Sequence, residues 1–283
     1  MKSLRFVGLL AIMFLAGCRH SSNAPSSSTL DARCDLLSQY AINCDFANVI
    51  RVQVIDTTGT QLVNSRSFYG MMTPESNEAI KIEPSGLFYP LLLSLIDELD
   101  TSMKLPAVYS VFGDNAYEVV DTRFVKDTAG HFVDSLSLRQ ALSVTSNVAF
   151  VSLAEECFGQ NRNEFLRRVN VLFNDKAILP NSIDSDSSFY LFCQGRGFSV
   201  DMETLLQCYR RLLPSSVGAL LPEVGDEIRG ISTFSISEYG MVSSLFLGVS
   251  DDRIGLVNFD RSHTHGQVAT NFFMKLMSNQ EKN

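Results

Sequence analysis

Two histidines stand one residue apart in His263-Thr264-His265, the closest pairing of imidazoles in the chain. That spacing can hold a metal ion if a third ligand arrives from elsewhere, and Asp251, Asp252 and Asp260 are the carboxylates to consider. A solvent-exposed turn before a closing helix is the simpler reading, so no metal is expected. Asp97, Glu98 and Asp100 have the residue types for acid and base, but they follow an apolar run and read as its solvated end. Gly195-Arg196-Gly197 lacks the GxxxxGK[ST] spacing and the preceding strand of a phosphate loop, so it is a turn. No cofactor is expected. Beyond Cys18, the cysteines are Cys34, Cys44, Cys157, Cys193 and Cys208, none in a CxxC spacing. Cys34 and Cys44 are the nearest potential disulfide pair, and buried free thiols are an equally good reading.

Composition narrows the partners. The 283 residues are 45% hydrophobic and 19% charged with a formal net charge of −8, which excludes a disordered chain or a multi-pass membrane protein. Non-specific nucleic-acid binding needs a basic face, so no nucleic-acid partner is expected.

The N-terminus reads as an address. Lys2 and Arg5 precede an apolar run from Phe6 to Ala16. Eleven residues rise only ~16 Å as a helix, too short for ~30 Å of hydrocarbon, so residues 1–17 are a targeting signal. The sequence Leu15-Ala16-Gly17-Cys18 resembles a bacterial lipobox. The resemblance implies that Cys18 is lipidated, becomes the mature N-terminus and anchors the chain to a membrane. It also implies a place in the bacterial cell envelope, facing the periplasm or exterior. Residues 18–30 carry the anchor and a Ser-rich tether, and residues 31–283 form the folded body.

The elements of that body follow from its periodicities. A short amphipathic helix is expected at Asp31 to Asn43, then a hairpin from Val49 to Asp56 and Gln61 to Phe68 around Thr57-Thr58-Gly59. Pro84 to Glu98 suits a buried helix with Pro90 in its first turn. Helices are expected at 138–144, 148–157, 164–173 (capped by Asn163) and 202–213 (capped by Ser199). Strands follow at 229–237, 241–249 and 253–259, and a helix at 267–278 closes the chain. Strands at both ends around a helical middle predict an α+β fold, with one antiparallel sheet built from both chain ends.

Four segments, in order, resemble the transpeptidase domain of penicillin-binding proteins, class B in particular. They are the Val49–Phe68 hairpin, SLRQALSVTSNVAFVSLA from Ser137 to Ala154, CQGRGFSVDMETLLQCYRRL from Cys193 to Leu212, and HGQVATNFFMKLM from His265 to Met277. The second follows the family's helix, Ser-x-Asn loop, helix pattern, and the third its Gly-Gln-Gly turn leading into a helix. The likeness covers roughly residues 47–280 and implies the fold shared by penicillin-binding proteins and serine β-lactamases.

The same resemblance locates three catalytic motifs, and the sequence departs from each. Family chemistry uses a Ser and a Lys one helical turn apart, the amine collecting the hydroxyl proton. The corresponding stretch is Glu83-Pro84-Ser85-Gly86-Leu87-Phe88-Tyr89-Pro90, with Gly86 at the nucleophile and Tyr89 at the Lys. Moving the register by one makes Ser85 the nucleophile and Phe88 its base, and a phenyl ring accepts no proton. None of the seven lysines has a Ser three positions before it.

The second motif is Thr145-Ser146-Asn147. Thr145 keeps a hydroxyl and Asn147 an amide, and both also suit a helix cap and a loop hydrogen bond. The third, Lys-Thr-Gly in the family, is Ser232-Thr233-Phe234. Ser232 carries no charge for a substrate carboxylate, and Phe234 would set a ring where a ligand backbone passes. The large N-terminal pedestal of class B members is also expected to be absent, and the cleft loops trimmed.

These departures predict a noncatalytic envelope lipoprotein, a binding or scaffolding module for peptidoglycan or a cell-wall enzyme. Two other readings stand beside it. One is residual acyl-serine transpeptidase or penicillin-binding activity through Ser85. The other is an unrelated ligand in an apolar pocket lined by Phe88, Tyr89 and Phe234.

Overall fold

The computed structural model describes residues 27–44, 46–68, 81–106, 109–111, 114–116, 135–225, 227–236, 242–262 and 268–278. The signal, the lipidation site Cys18, most of the tether and the His263-Thr264-His265 pair lie outside them. Among the described residues, no helix is long and apolar enough to cross a membrane.

Helix α1 (Ser27–Asn43) leads into the hairpin of β1 (Ala47–Asp56) and β2 (Gln61–Phe68). It begins four residues inside the stretch assigned to the tether. The hairpin turn is tied by the Asp56 carboxylate, which accepts from Thr58 Oγ1 at 2.6 Å and from the Thr60 amide at 2.8 Å. The chain then passes through β3 (Lys81–Ile82), a 3-10 turn (Ser85–Phe88), α2 (Tyr89–Leu93), β4 (Lys104–Pro106), β5 (Tyr109–Val111), β6 (Asp114–Ala116) and β7 (Ser135–Ser137). The helical middle holds α3 (Leu138–Ser143), α4 (Asn147–Phe158), α5 (Arg162–Leu172) and α6 (Asp186–Cys193), followed by β8 (Val200–Asp201) and α7 (Met202–Leu212). Strands β9 (Glu223–Gly225), β10 (Ile228–Ile236), β11 (Val242–Ser250) and β12 (Arg253–Ser262) precede the final helix α8 (Val268–Met277).

The six-stranded sheet runs β2-β1-β12-β11-β10-β9, with antiparallel neighbours throughout. Its centre pairs the two ends of the chain, Val52 opposite Val257. Both faces are covered. Ile50, Val52 and Val54 share one core with α1 and α8, and Ile55, Leu245, Leu247, Ile254 and Leu256 share the other with the helical middle. Burial on both faces also encloses Arg51, only 6% exposed, which donates from Nη1 to Asn258 Oδ1 at 3.0 Å and lies 3.5 Å from Asp260. A guanidinium so enclosed needs such partners, because desolvation without them costs several kcal/mol, on the order of the penalty for any isolated buried ion.

Several expectations are corrected. The apolar run from Pro84 does not continue as one helix. Ser85 takes a left-handed φ of +49°, which sets off a 3-10 turn, and α2 then ends at Leu93 with Pro90 in its first turn. Helix α5 is capped by Asn161, whose Oδ1 accepts from the Glu164 amide at 3.2 Å, so it starts two residues before the expected point. Helix α7 is capped by Asp201, which accepts from the Thr204 amide at 2.7 Å, while Ser199 bridges to Ile178. Cys34 and Cys44 are not bridged. Ten residues of nearly continuous helix separate them by about 15 Å, well beyond disulfide reach, and the five described cysteines are free thiols.

Candidate functional site

Three stretches far apart in sequence meet at Gly86. Its N–H donates to Thr233 Oγ1 at 3.2 Å. A Cβ added there would stand 3.0 Å from that oxygen, 3.1 Å from Thr145 Cγ2 and 3.3 Å from Thr145 Cβ. The 3-10 turn, the α3–α4 junction and β10 therefore bring the three motif positions together. A side chain at Gly86 would therefore sit in tight contact with both threonines.

Tyr89, where the resemblance expects a lysine, is fully buried. Its hydroxyl donates to Asn147 Oδ1 across the site. The ring stacks on Phe150, centroids 4.2 Å apart and planes inclined by 14°. Asn147 and Phe150 lie three residues apart on α4, so one helix face holds both the hydroxyl and the ring of Tyr89. A phenol that donates to an amide carbonyl is an anchor here, and it offers no neighbouring serine a base.

The loop holding Thr145 repays its geometry locally. Thr145 adopts φ +48°, an unfavourable conformation for a β-branched residue. The next residue, Ser146, is fully buried and caps α4 by accepting from the Ala149 amide at 3.2 Å. Ser85 is the second left-handed non-glycine residue at the site. Strain of this kind is commonly held at functional positions by surrounding structure.

That surrounding structure is the turn after α6. The Ser85 amide donates to the Gly195 carbonyl at 2.9 Å, and the Gly197 amide donates to Glu83 Oε1 at 3.1 Å. Gly195 has φ +69°, and a Cβ there would come within 2.3 Å of the Ser85 carbonyl oxygen. Tyr209 on α7 donates its hydroxyl to the Leu87 carbonyl, and burial pushes that hydroxyl well above the usual phenol range. Phe88 is nested among Phe165, Phe173, Phe192 and Phe198. Glu83, Gly195 and Gly197 thus clasp the turn carrying Gly86. The Gly-x-Gly pattern marked a turn in the sequence, but nothing there named its partner.

Strand alternation separates the third motif. Thr233 faces Leu245 in register, on the side of the helical middle, and aims at Gly86. Ser232 pairs with Phe246 and Phe234 with Ser244, which sets both on the opposite face, where α1 and α8 pack. The Phe234 ring, 37% exposed, does not enter the space beside Gly86. Phe88 and Tyr89 are wholly enclosed, so the expected apolar pocket lined by these three rings is not formed. Strand β9 covers only Ile228 and Arg229 of β10, and beyond Gly230 no described strand lies along that edge.

The described lysines are committed or remote from this point. Lys81 donates to the Lys176 carbonyl at 2.8 Å, and Lys104, Lys176 and Lys275 are exposed on other elements. Ser85 is 5% exposed, with Phe88 three residues on. Among the described residues no hydroxyl faces an amine at the site, and no group of His, Cys, Asp or Glu is placed to hold a metal ion. What the described residues offer at the site is two threonine hydroxyls and an amide.

No protein-family model and no curated protein sequence matches the chain. Solved structures do. A peptidoglycan glycosyltransferase from Burkholderia ambifaria superposes with a TM-score of 0.65 at 14% identity, over 89% of this chain and 95% of that one. The transpeptidase domain of penicillin-binding protein 3 from Burkholderia pseudomallei gives 0.66 at 13%, over 91% and 96%. Penicillin-binding protein 3 from Mycobacterium tuberculosis, solved with aztreonam, gives 0.63 at 12%, over 87% and 75%. At such low identity the agreement concerns architecture, and it extends over nearly the whole length: this chain has the fold of a penicillin-binding-protein transpeptidase domain.

Proposed function

We propose that the chain is a noncatalytic transpeptidase-like module, tethered in the bacterial cell envelope through a lipidated Cys18, that binds peptidoglycan or scaffolds a cell-wall enzyme. One observation carries the noncatalytic part. Gly86 occupies the nucleophile position with Thr145 and Thr233 packed against it, and the neighbouring base position holds a buried tyrosine bonded to Asn147. Acyl transfer by this fold needs a hydroxyl activated by an amine, and neither partner stands there. The wall-related part is supported by the fold and by the names of its structural neighbours, one a peptidoglycan glycosyltransferase and one holding aztreonam.

Fluorescent penicillin tests the reading. The purified chain is incubated with the label, denatured and run on a gel, with an active penicillin-binding protein alongside. No covalent band is expected from this chain. A band abolished by replacing a single serine would restore the enzyme. Co-sedimentation with insoluble peptidoglycan tests the binding function, and retention above a heat-denatured control is the expected result.

A further inference from the structure

Helix α1 presents an outer line that no described element covers, the Tyr40 ring meeting only Phe46 edge-on with centroids 6.4 Å apart. Leu30, Cys34 and Ala41 turn toward the sheet and are buried, whereas Leu36 is 69% exposed and Tyr40 47% exposed. At 3.6 residues per turn these two share one face with Thr29, Ala32, Gln39 and Asn43. That line contains no acidic residue, although the chain carries a formal charge of −8. Asp35 and Asp31 lie about 100° and 140° from Leu36 around the helix, on the side away from Tyr40, and Asp35 accepts from Ser65 Oγ on β2 at 3.2 Å. Arg33, at the edge of the line, is drawn sideways and donates to the carbonyls of Leu276 and Ser278 at 3.0 and 2.8 Å.

We infer that this line rests on the lipid bilayer to which the chain is tethered, with Leu36 and Tyr40 inserted at the headgroup boundary. The inference rests on the proposed lipidation of Cys18. Eight residues separate Cys18 from the first residue of α1. A chain of that length reaches at most about 28 Å. The helix is thereby held beside the membrane surface at high effective concentration, and a short uncharged stripe suffices where an untethered one would not. Tyrosine suits this depth, with an apolar ring and a hydroxyl that stays wet. Docking would fix which way the body faces: α1 and α8 toward the bilayer, and the Gly86 side of the sheet away from it.

The chain contains no tryptophan, so one can be introduced as a sole reporter. The full-length lipidated protein carrying Leu36→Trp is reconstituted into vesicles of phosphatidylethanolamine and phosphatidylglycerol. Tyr40→Trp serves as a second reporter should the first fail to fold, and Val171→Trp, 60% exposed on α5, as the distant control. Blue-shifted emission and quenching by brominated acyl chains, several-fold stronger at position 36 or 40 than at 171, are expected. In the lipidated protein, Leu36→Asp should return the emission and acyl-chain quenching of the Tyr40→Trp reporter close to those of the Val171→Trp control, the loss expected for one buried leucine. Flotation with vesicles but solvent-like emission at 36 and 40 would overturn the docking surface alone. Absence of a diacylglyceryl mass on the Cys18 peptide would remove the tether and the docking surface together. A blue shift that grows with protein concentration without vesicles would assign the stripe to a second copy of the chain and overturn the proposal.

Discussion

Tyr89, where the transpeptidase resemblance expects a lysine, is held as part of the core. A lysine there would need a hydroxyl or carboxylate to justify its charge. The tyrosine instead donates to Asn147 and stacks on Phe150 within a closed core. Tyr89→Lys should destabilise the fold by about 3 kcal/mol, since it loses the stack and sets an amine in apolar surroundings. Tyr89→Phe keeps the ring and should cost about 1 kcal/mol for the lost hydrogen bond. Urea unfolding midpoints check both. An unchanged midpoint for Tyr89→Lys would mean that the position is not the closed anchor described. The sequence revealed the substitutions themselves, Gly86, Tyr89, Ser232 and Phe234. It did not reveal that Phe234 stands on the far face of β10, because the departure was judged against a linear motif before the strand register was known. The expectation that a hydroxyl of this stretch caps the following helix holds, with Ser146 accepting from the Ala149 amide.

At the scale of elements, the site depends on a turn held by another turn. Gly195 accepts from the Ser85 amide, with a left-handed φ and no space for a Cβ. Gly195→Ala should therefore cost about 3 kcal/mol, combining backbone strain with overpacking against Ser85 and Phe88. Gly197→Ala, left-handed with nothing near its missing Cβ, should cost only about 1 kcal/mol. Thermal unfolding of the pair gives the ranking, and equal costs would contradict the clasp. Long periodic elements were legible from the sequence: the hairpin, α3, α4, α7, the three C-terminal strands and α8 emerge within a few residues of the expected ends. Helix α6 was missed because Asp186–Cys193 is short, and its signal is a Ser185 capping box within a serine-rich stretch. Caps shifted to Asn161 and Asp201 because several Ser, Asn and Asp side chains nearby could serve, and tertiary packing selected among them.

At the scale of the whole molecule, the sheet closes on both chain ends, and surface ion pairs lie on the helical side. Glu164 accepts from Arg167 at 2.7 Å, which chiefly lowers its carboxyl to about 2, and the Arg168 guanidinium adds to the effect. Arg168 also donates to Asp97 at 2.8 Å, holding that carboxyl below its usual range. A carboxyl lowered in the folded state contributes stability above its unfolded value of about 4.5 that is lost as pH falls toward about 2. Glu164→Gln should flatten the acid limb of a stability profile across that window at low salt, and high salt should shrink the difference, since the pairs are exposed. Identical limbs for the two proteins would show that the pairs contribute nothing.

The central claim is that this fold no longer supplies a nucleophile and its base, and intact-mass spectrometry after exposure to excess benzylpenicillin tests it most directly. The chain should emerge with its mass unchanged, while an active penicillin-binding protein treated in parallel gains one ligand. A gain of one benzylpenicillin on this chain, mapped to one hydroxyl and removed by substituting it, would contradict the account.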